Sequence, residues 1–190
     1  TFDSAYGTQE LLYADWVASG RLYLPIEDII VNKIGPMIAN THSFSSETGK
    51  TSTYAYNHAR ELIKKHVNAG ASDILVTTGT GMTAALSKLQ RFIGLRNAHN
   101  RVNTELNTAD KPVVFITHME HHSNQVSWYE TNADVVVVPP DENNLVSTEK
   151  LSELLEKYAE RTLKIGSFTA ASNVTGIITP YHELARIMHH

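Results

Sequence analysis

The sequence contains no cysteine, and its 190 residues include no apolar run long enough to cross a bilayer. The absence of cysteine excludes disulfide bonds, thiolate metal sites and a catalytic cysteine within this span. A signal peptide would show a basic start followed by an apolar stretch, and the sequence does not show this pattern. A cytoplasmic location is therefore expected. The net charge of −4 does not point to nucleic acid or a membrane as a partner. What remains is a globular chain, for which 42% hydrophobic and 19% charged residues are typical.

Before residue 70, the spacing of apolar residues indicates helices. Apolar residues at helical intervals predict a long helix that begins at Glu47, with Gly70 as its C-cap. A shorter helix is predicted to open at Pro25 and to end near Gly35. The rest of residues 1–45 shows no regular pattern.

Four short apolar runs further along the chain predict strands, and helical patterns separate them. The strands are predicted over 73–77, 112–117, 134–138 and 163–168, and the helices over 82–93, 123–131, 148–158 and from Pro180 to the end. A polar stretch from Arg96 to Lys111 is predicted to be a loop. This alternation predicts an α/β fold with a mostly parallel sheet and helices on both faces. Such sheets bind ligands beyond the carboxyl ends of their strands, so the chemistry is expected just after these strands.

A glycine-rich turn over 77–83 follows the first predicted strand and opens a helix. Gly79 and Gly81 permit a sharp turn, and the free N–H groups at a helix start can bind a phosphate. The alternative is an ordinary turn with a threonine N-cap. The spacing from Gly79 to Ala84 also fits a loose dinucleotide fingerprint. That fingerprint needs an acidic residue at the end of the next strand, whereas Glu105 lies in the polar stretch, so this interpretation is disfavoured.

Two further polar segments follow later strands. The segment 118–122, His-Met-Glu-His-His, comes directly after the second strand and invites a metal interpretation. Adjacent histidines point in different directions, and the spacing is not His-Glu-x-x-His, so no metal site is predicted. A histidine here could stack on a planar cofactor or act as an acid or base. After the fourth strand, Asn173 offers a donor and an acceptor beside a turn at Gly176.

In their order and spacing, these motifs resemble the class V aminotransferase family, in particular its cysteine desulfurase and selenocysteine lyase branch. The matching segments are 13–21, 40–43, 77–83, 120–124 with Trp128, and 172–176. The resemblance implies the large domain of the fold type I architecture of enzymes that depend on pyridoxal 5'-phosphate (PLP), incomplete within this span. It implies that residues 1–45 contribute to the small domain or the substrate entrance, and that 46–190 form the first part of the PLP-binding domain.

The resemblance also implies roles for individual residues. Thr80 and Gly81 are expected to hold the cofactor phosphate. His121 is expected to stack on the pyridine ring as a catalytic residue, and Asn173 to hydrogen-bond the ring hydroxyl. These residues would orient PLP and tune its electronics.

The resemblance also indicates which residues would lie near the substrate and which family residues this span lacks. Ala18 and Ser19 are candidates for contact with the substrate. Family members carry Thr and Glu where this chain has Gly81 and Met82, which removes one hydroxyl from the phosphate site. No lysine of the chain lies in the family's context for the Schiff base, so that lysine and the aspartate that pairs with the pyridine nitrogen are expected beyond His190.

The sequence therefore predicts part of a PLP-dependent enzyme that acts on an amino acid as a desulfurase, a lyase or a transaminase. The resemblance implies a homodimer when the protein is intact, and these residues alone are expected to be inactive. Two alternatives stay open. The chain could be a non-catalytic truncated or binding module, or a nucleotide-binding α/β domain.

Overall fold

The computed structural model describes residues 1–96 and 110–190, which divide into two compact units, Thr1–Leu75 and Val76–His190. Most of the loop predicted between Arg96 and Lys111, with Glu105, lies outside the described residues. The division of function between 1–45 and 46–190 stays a prediction. Within the described ranges, no helix is both long enough and apolar enough to cross a membrane.

The first unit is built mainly of helices. Its elements are β1 (Phe2–Ser4), β2 (Gly7–Gln9), α1 (Trp16–Ser19), α2 (Leu24–Ile29), a π-helix (Ile30–Ile34), a 3-10 helix (Gly35–Met37) and α3 (Glu47–His66). The helix predicted from Pro25 to Gly35 is confirmed as α2 and its π-helical continuation. The antiparallel hairpin of β1 and β2 was not predicted, because strands of three residues are too short to show a repeating pattern.

The long helix α3 begins as predicted but ends at a different residue. At its start, Ser46 Oγ accepts a hydrogen bond from the Gly49 N–H at 3.1 Å. At its end, Asn68 adopts a left-handed conformation with φ 56°, and the Ala69 N–H donates to the Lys64 carbonyl at 2.9 Å. The prediction of Gly70 as the C-cap is therefore wrong, because Asn68 tolerates the left-handed conformation two residues earlier.

The described part of the second unit contains a three-stranded parallel sheet and four helices. Its elements are α4 (Gly81–Phe92), β3 (Val113–Thr117), α5 (His122–Tyr129), β4 (Asp134–Val138), α6 (Thr148–Lys157), β5 (Lys164–Ser167) and α7 (Tyr181–Met188). Strands β4 and β5 both pair in parallel with β3, so β3 is the central strand. The α/β fold with a parallel sheet is thus confirmed.

The central strand β3 supplies side chains to both faces of the sheet. All five of its residues are buried, and alternate residues point to opposite faces. Val113 and Phe115 pack in one apolar cluster with α6 and α7, whereas Val114 and Ile116 pack in a second cluster with α4 and α5. The buried apolar side chains that these helices contribute are Leu151, Leu184, Leu86 and Trp128. The predicted helices on both faces are therefore confirmed.

The strand predicted over 73–77 is not formed. Its apolar residues favour a strand, but a strand needs a ladder partner, and no other segment among residues 1–96 and 110–190 pairs with it. Ile74 is 83% exposed. The Leu75 carbonyl accepts instead from the Arg60 guanidinium at 3.2 Å. The glycine-rich turn over 77–83 consequently follows an irregular segment and not a strand.

An ion-pair cluster fixes the amino end of β4. Asp134 Oδ2 accepts from Arg161 Nη2 at 2.6 Å, and Lys111 Nζ contacts Asp134 Oδ1. Arg161 Nη1 also donates to the Lys111 carbonyl at 2.6 Å. Burial raises the pKa of Asp134, but the hydrogen bonds and charges of Lys111 and Arg161 outweigh burial and hold that pKa below its ordinary 3.8.

Replacing this carboxylate should destabilise the protein only where it is ionised. The folded-state pKa of Asp134 is lowered. The ionised carboxylate therefore contributes to the free energy of unfolding above the unfolded-state pKa, and this contribution is lost as the pH falls through the folded-state pKa. We expect Asp134→Asn to lower the free energy of unfolding at pH 7 by about 1–2 kcal/mol, a value reduced because the aspartate is partly exposed.

Urea unfolding of both proteins at pH 7 and near pH 3 measures this difference, which should shrink at the lower pH. The control is Glu183→Gln, which breaks the exposed ion pair with Arg186 and should cost less than about 0.5 kcal/mol. If Asp134→Asn changes the free energy of unfolding by the same amount at both pH values, the ionised Asp134 carboxylate is not the source of the stabilisation.

Candidate functional site

Contacts of α4 show which edge of the sheet its first residue faces. Near the end of α4, Gln90 Nε2 donates to Ser127 Oγ at 3.0 Å, in the last turn of α5. Just beyond α4, the Leu95 carbonyl accepts from the Asn132 N–H at 3.2 Å, shortly before β4 begins. Because α5 leads from the carboxyl end of β3 to the start of β4, its last turn lies at the amino edge. Helix α4 therefore runs in the same direction as α5, and Gly81 faces the carboxyl edge.

The turn that precedes α4 has an unusual backbone. Thr80 is left-handed, with φ 64° and ψ 40°, and Gly81 also has a positive φ of 75°. For threonine this conformation costs about 1–2 kcal/mol. Thr80 is the N-cap of α4, yet its side chain makes no capping hydrogen bond, so it does not occupy the N–H groups of the first turn. Strain of this kind is concentrated at binding sites in proteins.

His121 lies at the carboxyl end of β3 and caps the start of α5. Its Nδ1 accepts from the Ser123 N–H at 3.1 Å and lies 2.7 Å from Ser123 Oγ. A backbone N–H can only donate, so Nδ1 presents its lone pair and the neutral ring carries its proton on Nε2. The ring is exposed, and Nε2 has no hydrogen-bond partner within the described parts of the chain.

Asn173 lies in the loop that follows β5, the strand that neighbours β3. The loop is closed on itself, because the Ser172 N–H donates to the Ile177 carbonyl and the Gly176 N–H donates to the Ser172 carbonyl, both at 2.9 Å. The side chain of Thr179 also donates to the Thr169 carbonyl at the base of the loop. The amide of Asn173 is exposed and makes no hydrogen bond to the described residues. The loop thus holds this side chain at the carboxyl edge without engaging it.

Glu120 makes contacts in the structure that the sequence did not indicate. Glu120 Oε1 accepts from the Thr169 N–H at 2.8 Å, and from Thr117 through its hydroxyl at 2.7 Å and its N–H at 3.2 Å. We call these contacts the Glu120 bridge, because they join the end of β3 to the segment that follows β5. Glu120 Oε2 accepts from Asn124 Nδ2 at 2.8 Å. The spacing of Glu120, Asn124 and Trp128, four residues apart, was the available signal.

A network of buried polar groups continues from the Glu120 bridge. Asn124 Oδ1 accepts from Trp128 Nε1 at 3.0 Å and from Ser167 Oγ at 2.8 Å. Trp128 is 1% exposed, and its Nε1 also lies 2.9 Å from Ser167 Oγ. The first turns of α5 are thereby fixed to β5 as well as to β3.

The histidines and the glutamate of 118–122 do not converge. Glu120 is engaged in the bridge, and His121 contacts Ser123. His118 Nε2 donates to the Asn144 carbonyl at 3.0 Å. In the part of the chain that the structure describes, no group of three or more His, Cys, Asp or Glu side chains could hold a metal ion.

Ala18 and Ser19 lie in α1, in the first unit. Ser19 Oγ donates to the Asp15 carbonyl at 2.6 Å and contacts the Tyr13 hydroxyl. The Arg21 guanidinium stacks 4.2 Å from the centre of the Tyr13 ring. The structure therefore brings Thr80, Gly81, His121 and Asn173 to one edge of the second unit, while a substrate role for Ala18 and Ser19 stays a prediction.

Comparison with known proteins places the chain in a family. It matches the family model of class-V aminotransferases over residues 13–190. It is 34% identical over 155 residues to a cysteine desulfurase of Synechococcus elongatus, an alignment that covers 80% of this chain and 22% of that protein. It is 26% identical over 191 residues to a probable cysteine desulfurase of Halalkalibacterium halodurans, with 98% of this chain and 43% of that protein covered.

Solved structures show the same fold at lower sequence identity. The crystal structure of the cysteine desulfurase CsdA from Escherichia coli aligns with a TM-score of 0.56 and 22% identity, over 86% of this chain and 39% of that chain. Mouse CSAD aligns with a TM-score of 0.52 and 16% identity, over 86% of this chain and 35% of that chain. The chain thus spans less than half the length of each of these proteins. The resemblance seen in the motifs is confirmed by the match over residues 13–190, and the chain belongs to the class-V aminotransferase family.

Proposed function

We propose that this chain forms part of a PLP-dependent enzyme that acts on an amino acid, of the cysteine desulfurase and selenocysteine lyase type or the class V aminotransferase type. The observation that carries the proposal is the position of Thr80, His121 and Asn173 at the carboxyl edge of one parallel sheet, in a chain of this family. Relatives named cysteine desulfurase support the first type. When bound, PLP supplies an electron sink for the substrate's reacting carbon.

The backbone of the turn before α4 fits a phosphate group. Four N–H groups at the start of a helix lack intrahelical partners, and the helix dipole favours an anion there. A Cβ atom built on Gly79 or Gly81 would meet no atom within 4 Å, so a phosphate can approach this backbone closely. We propose that Thr80 and Gly81 hold the phosphate through these N–H groups and the Thr80 hydroxyl.

The side chains of the neighbouring strand ends fit a flat ring that carries a hydroxyl group. His121 presents an exposed imidazole whose orientation Ser123 fixes through Nδ1. Such a ring can stack on a pyridine, and the proton on its Nε2 is available for transfer. Asn173 presents an uncommitted amide, which can donate to or accept from a ring hydroxyl. We assign His121 as the catalytic residue of this span on these grounds.

The remaining parts of such a site are proposed to come from outside these residues. The chain's lysines lack the family context, and the relatives are more than twice as long as the matched segment. We propose that the Schiff-base lysine and the partner of the pyridine nitrogen lie elsewhere in the intact protein. We also propose that the intact protein is a homodimer, and that these 190 residues alone do not complete the reaction.

Relieving the strain at Thr80 should stabilise the fold while weakening the phosphate site. We expect Thr80→Gly to raise the free energy of unfolding by about 0.5–1 kcal/mol, because glycine adopts a positive φ without steric cost. The same change should lower the affinity for PLP, because it removes a hydroxyl and loosens the turn.

Urea unfolding and PLP titration of the same protein samples measure the two effects. The control is Thr78→Gly, because Thr78 does not have a positive φ. This change should lower the free energy of unfolding, in contrast to Thr80→Gly. If Thr80→Gly lowers the free energy of unfolding, the left-handed conformation is not a source of strain.

Removing the two ring contacts should weaken PLP binding without unfolding the protein. We expect His121→Ala and Asn173→Ala each to raise the Kd for PLP about 3- to 10-fold, since a ring contact or a neutral hydrogen bond contributes about 1 kcal/mol. Absorbance titration with PLP measures this effect. His189→Ala, at the exposed end of α7, and Asn132→Ala, directly before β4 begins at the amino edge, are the matched controls.

Titration with NAD and with inorganic phosphate separates the proposal from its alternatives. Phosphate should compete weakly with PLP, and NAD should bind more weakly than PLP. Tighter binding of NAD, or unchanged PLP affinity in both alanine variants, would show that this edge is not a PLP site.

A further inference from the structure

The Glu120 bridge lies between the two segments that carry the proposed ring contacts. On one side, Glu120 is followed directly by His121. On the other side, the Thr169 N–H that donates to Glu120 Oε1 at 2.8 Å belongs to the residue at the base of the Asn173 loop. The Thr169 carbonyl also receives the hydroxyl of Thr179, where the loop returns. One carboxylate therefore holds the starting points of both segments.

The Glu120 carboxylate is engaged in hydrogen bonds within the protein and is not a free surface charge. Its two oxygens together accept four hydrogen bonds, from Thr117, Thr169 and Asn124. No cation is paired with Glu120 among the described ion pairs, so N–H and O–H donors alone satisfy its charge. Hydrogen bonds to an ionised acceptor are about twice as strong as neutral ones.

The polarity of the network fixes which chemical group position 120 requires. Asn124 Oδ1 already accepts from Trp128 Nε1 and Ser167 Oγ, so its Nδ2 must face Glu120 as a donor. The Thr117 and Thr169 N–H groups are donors by nature. A side chain at position 120 must therefore accept on both of its arms, which only a carboxylate does.

We propose that Glu120 is the positioning residue that sets the distance and orientation between His121 and Asn173 across the strand ends of β3 and β5. This inference rests on the proposed PLP site. Glu120 does not itself contact the cofactor in this proposal. It fixes the separation of the two groups that do, so that the ring can be stacked and hydrogen-bonded at the same time.

Hydrogen exchange tests the bridge itself, without any cofactor. In Glu120→Ala the Thr169 amide loses its acceptor and should exchange about 10-fold faster or more under native conditions. Glu120→Gln keeps one acceptor but places an NH2 group against Asn124 Nδ2, so its exchange rate should be intermediate. It also provides the folded variant if the alanine protein does not fold.

Ser167→Ala is the matched control, because it removes contacts to Asn124 and Trp128 in the same network but leaves the Glu120 bridge intact. The Thr169 amide should retain its protection in that variant. A Thr169 amide that exchanges at the unaltered rate in Glu120→Ala would overturn the bridge.

A double-mutant cycle on PLP affinity tests the positioning role. If Glu120 acts through His121 and Asn173, then His121→Ala should raise the Kd several-fold in the unaltered chain but less than about 2-fold in the Glu120 variant. The same cycle with Asn173→Ala should show the same coupling. In the Ser167→Ala background the effects should multiply independently. If Glu120 only stabilises the fold, His121→Ala and Asn173→Ala should raise the Kd for PLP by the same factor in the Glu120 variant as in the unaltered chain. That result would overturn the proposal.

The two experiments distinguish failure of this inference from failure of the proposed function. If the unaltered chain does not bind PLP, the proposed function fails and takes the positioning role with it. If PLP binds and the cycles show no coupling, the proposed function stands and the inference about Glu120 fails.

Discussion

The complete burial of β3 between two parallel neighbours is the constraint on which the site depends. Because β4 and β5 both run parallel to β3, the segments that follow all three strands emerge at one edge. The apolar faces of β3 hold α4 and α5 on one side and α6 and α7 on the other. Helix α4 is oriented by its packing on α5, and its uncapped start consequently faces the same edge as His121 and Asn173.

Most of the second unit could be predicted from the sequence, because its signals are local. The apolar runs at 112–117, 134–138 and 163–168 mark the three strands, and helical spacing marks the helices between them. Parallel pairing follows from this alternation and brings the strand ends together. The order of short motifs then indicated the family, although each motif taken singly is compatible with an ordinary turn.

Features that depend on distant partners could not be predicted in this way. The run over 73–77 has the composition of a strand, yet no described segment pairs with it, so composition alone was misleading. The left-handed Asn68 replaced Gly70 at the end of α3, since asparagine also tolerates that conformation. The Glu120 bridge joins residues 49 positions apart, and nothing in the local pattern reveals which donors a glutamate will meet.

Amide chemical-shift mapping by NMR during titration with PLP tests the central claim most directly, namely that three separate segments form one cofactor site. We expect the amides of 80–83, 121–123 and 172–176 to shift together and to give one common Kd, while the amides around the Lys64 and Lys65 end of α3 do not shift. Shifts confined to one segment, different Kd values for the three segments, or changes only elsewhere would contradict a shared PLP site at the carboxyl edge of β3 and β5.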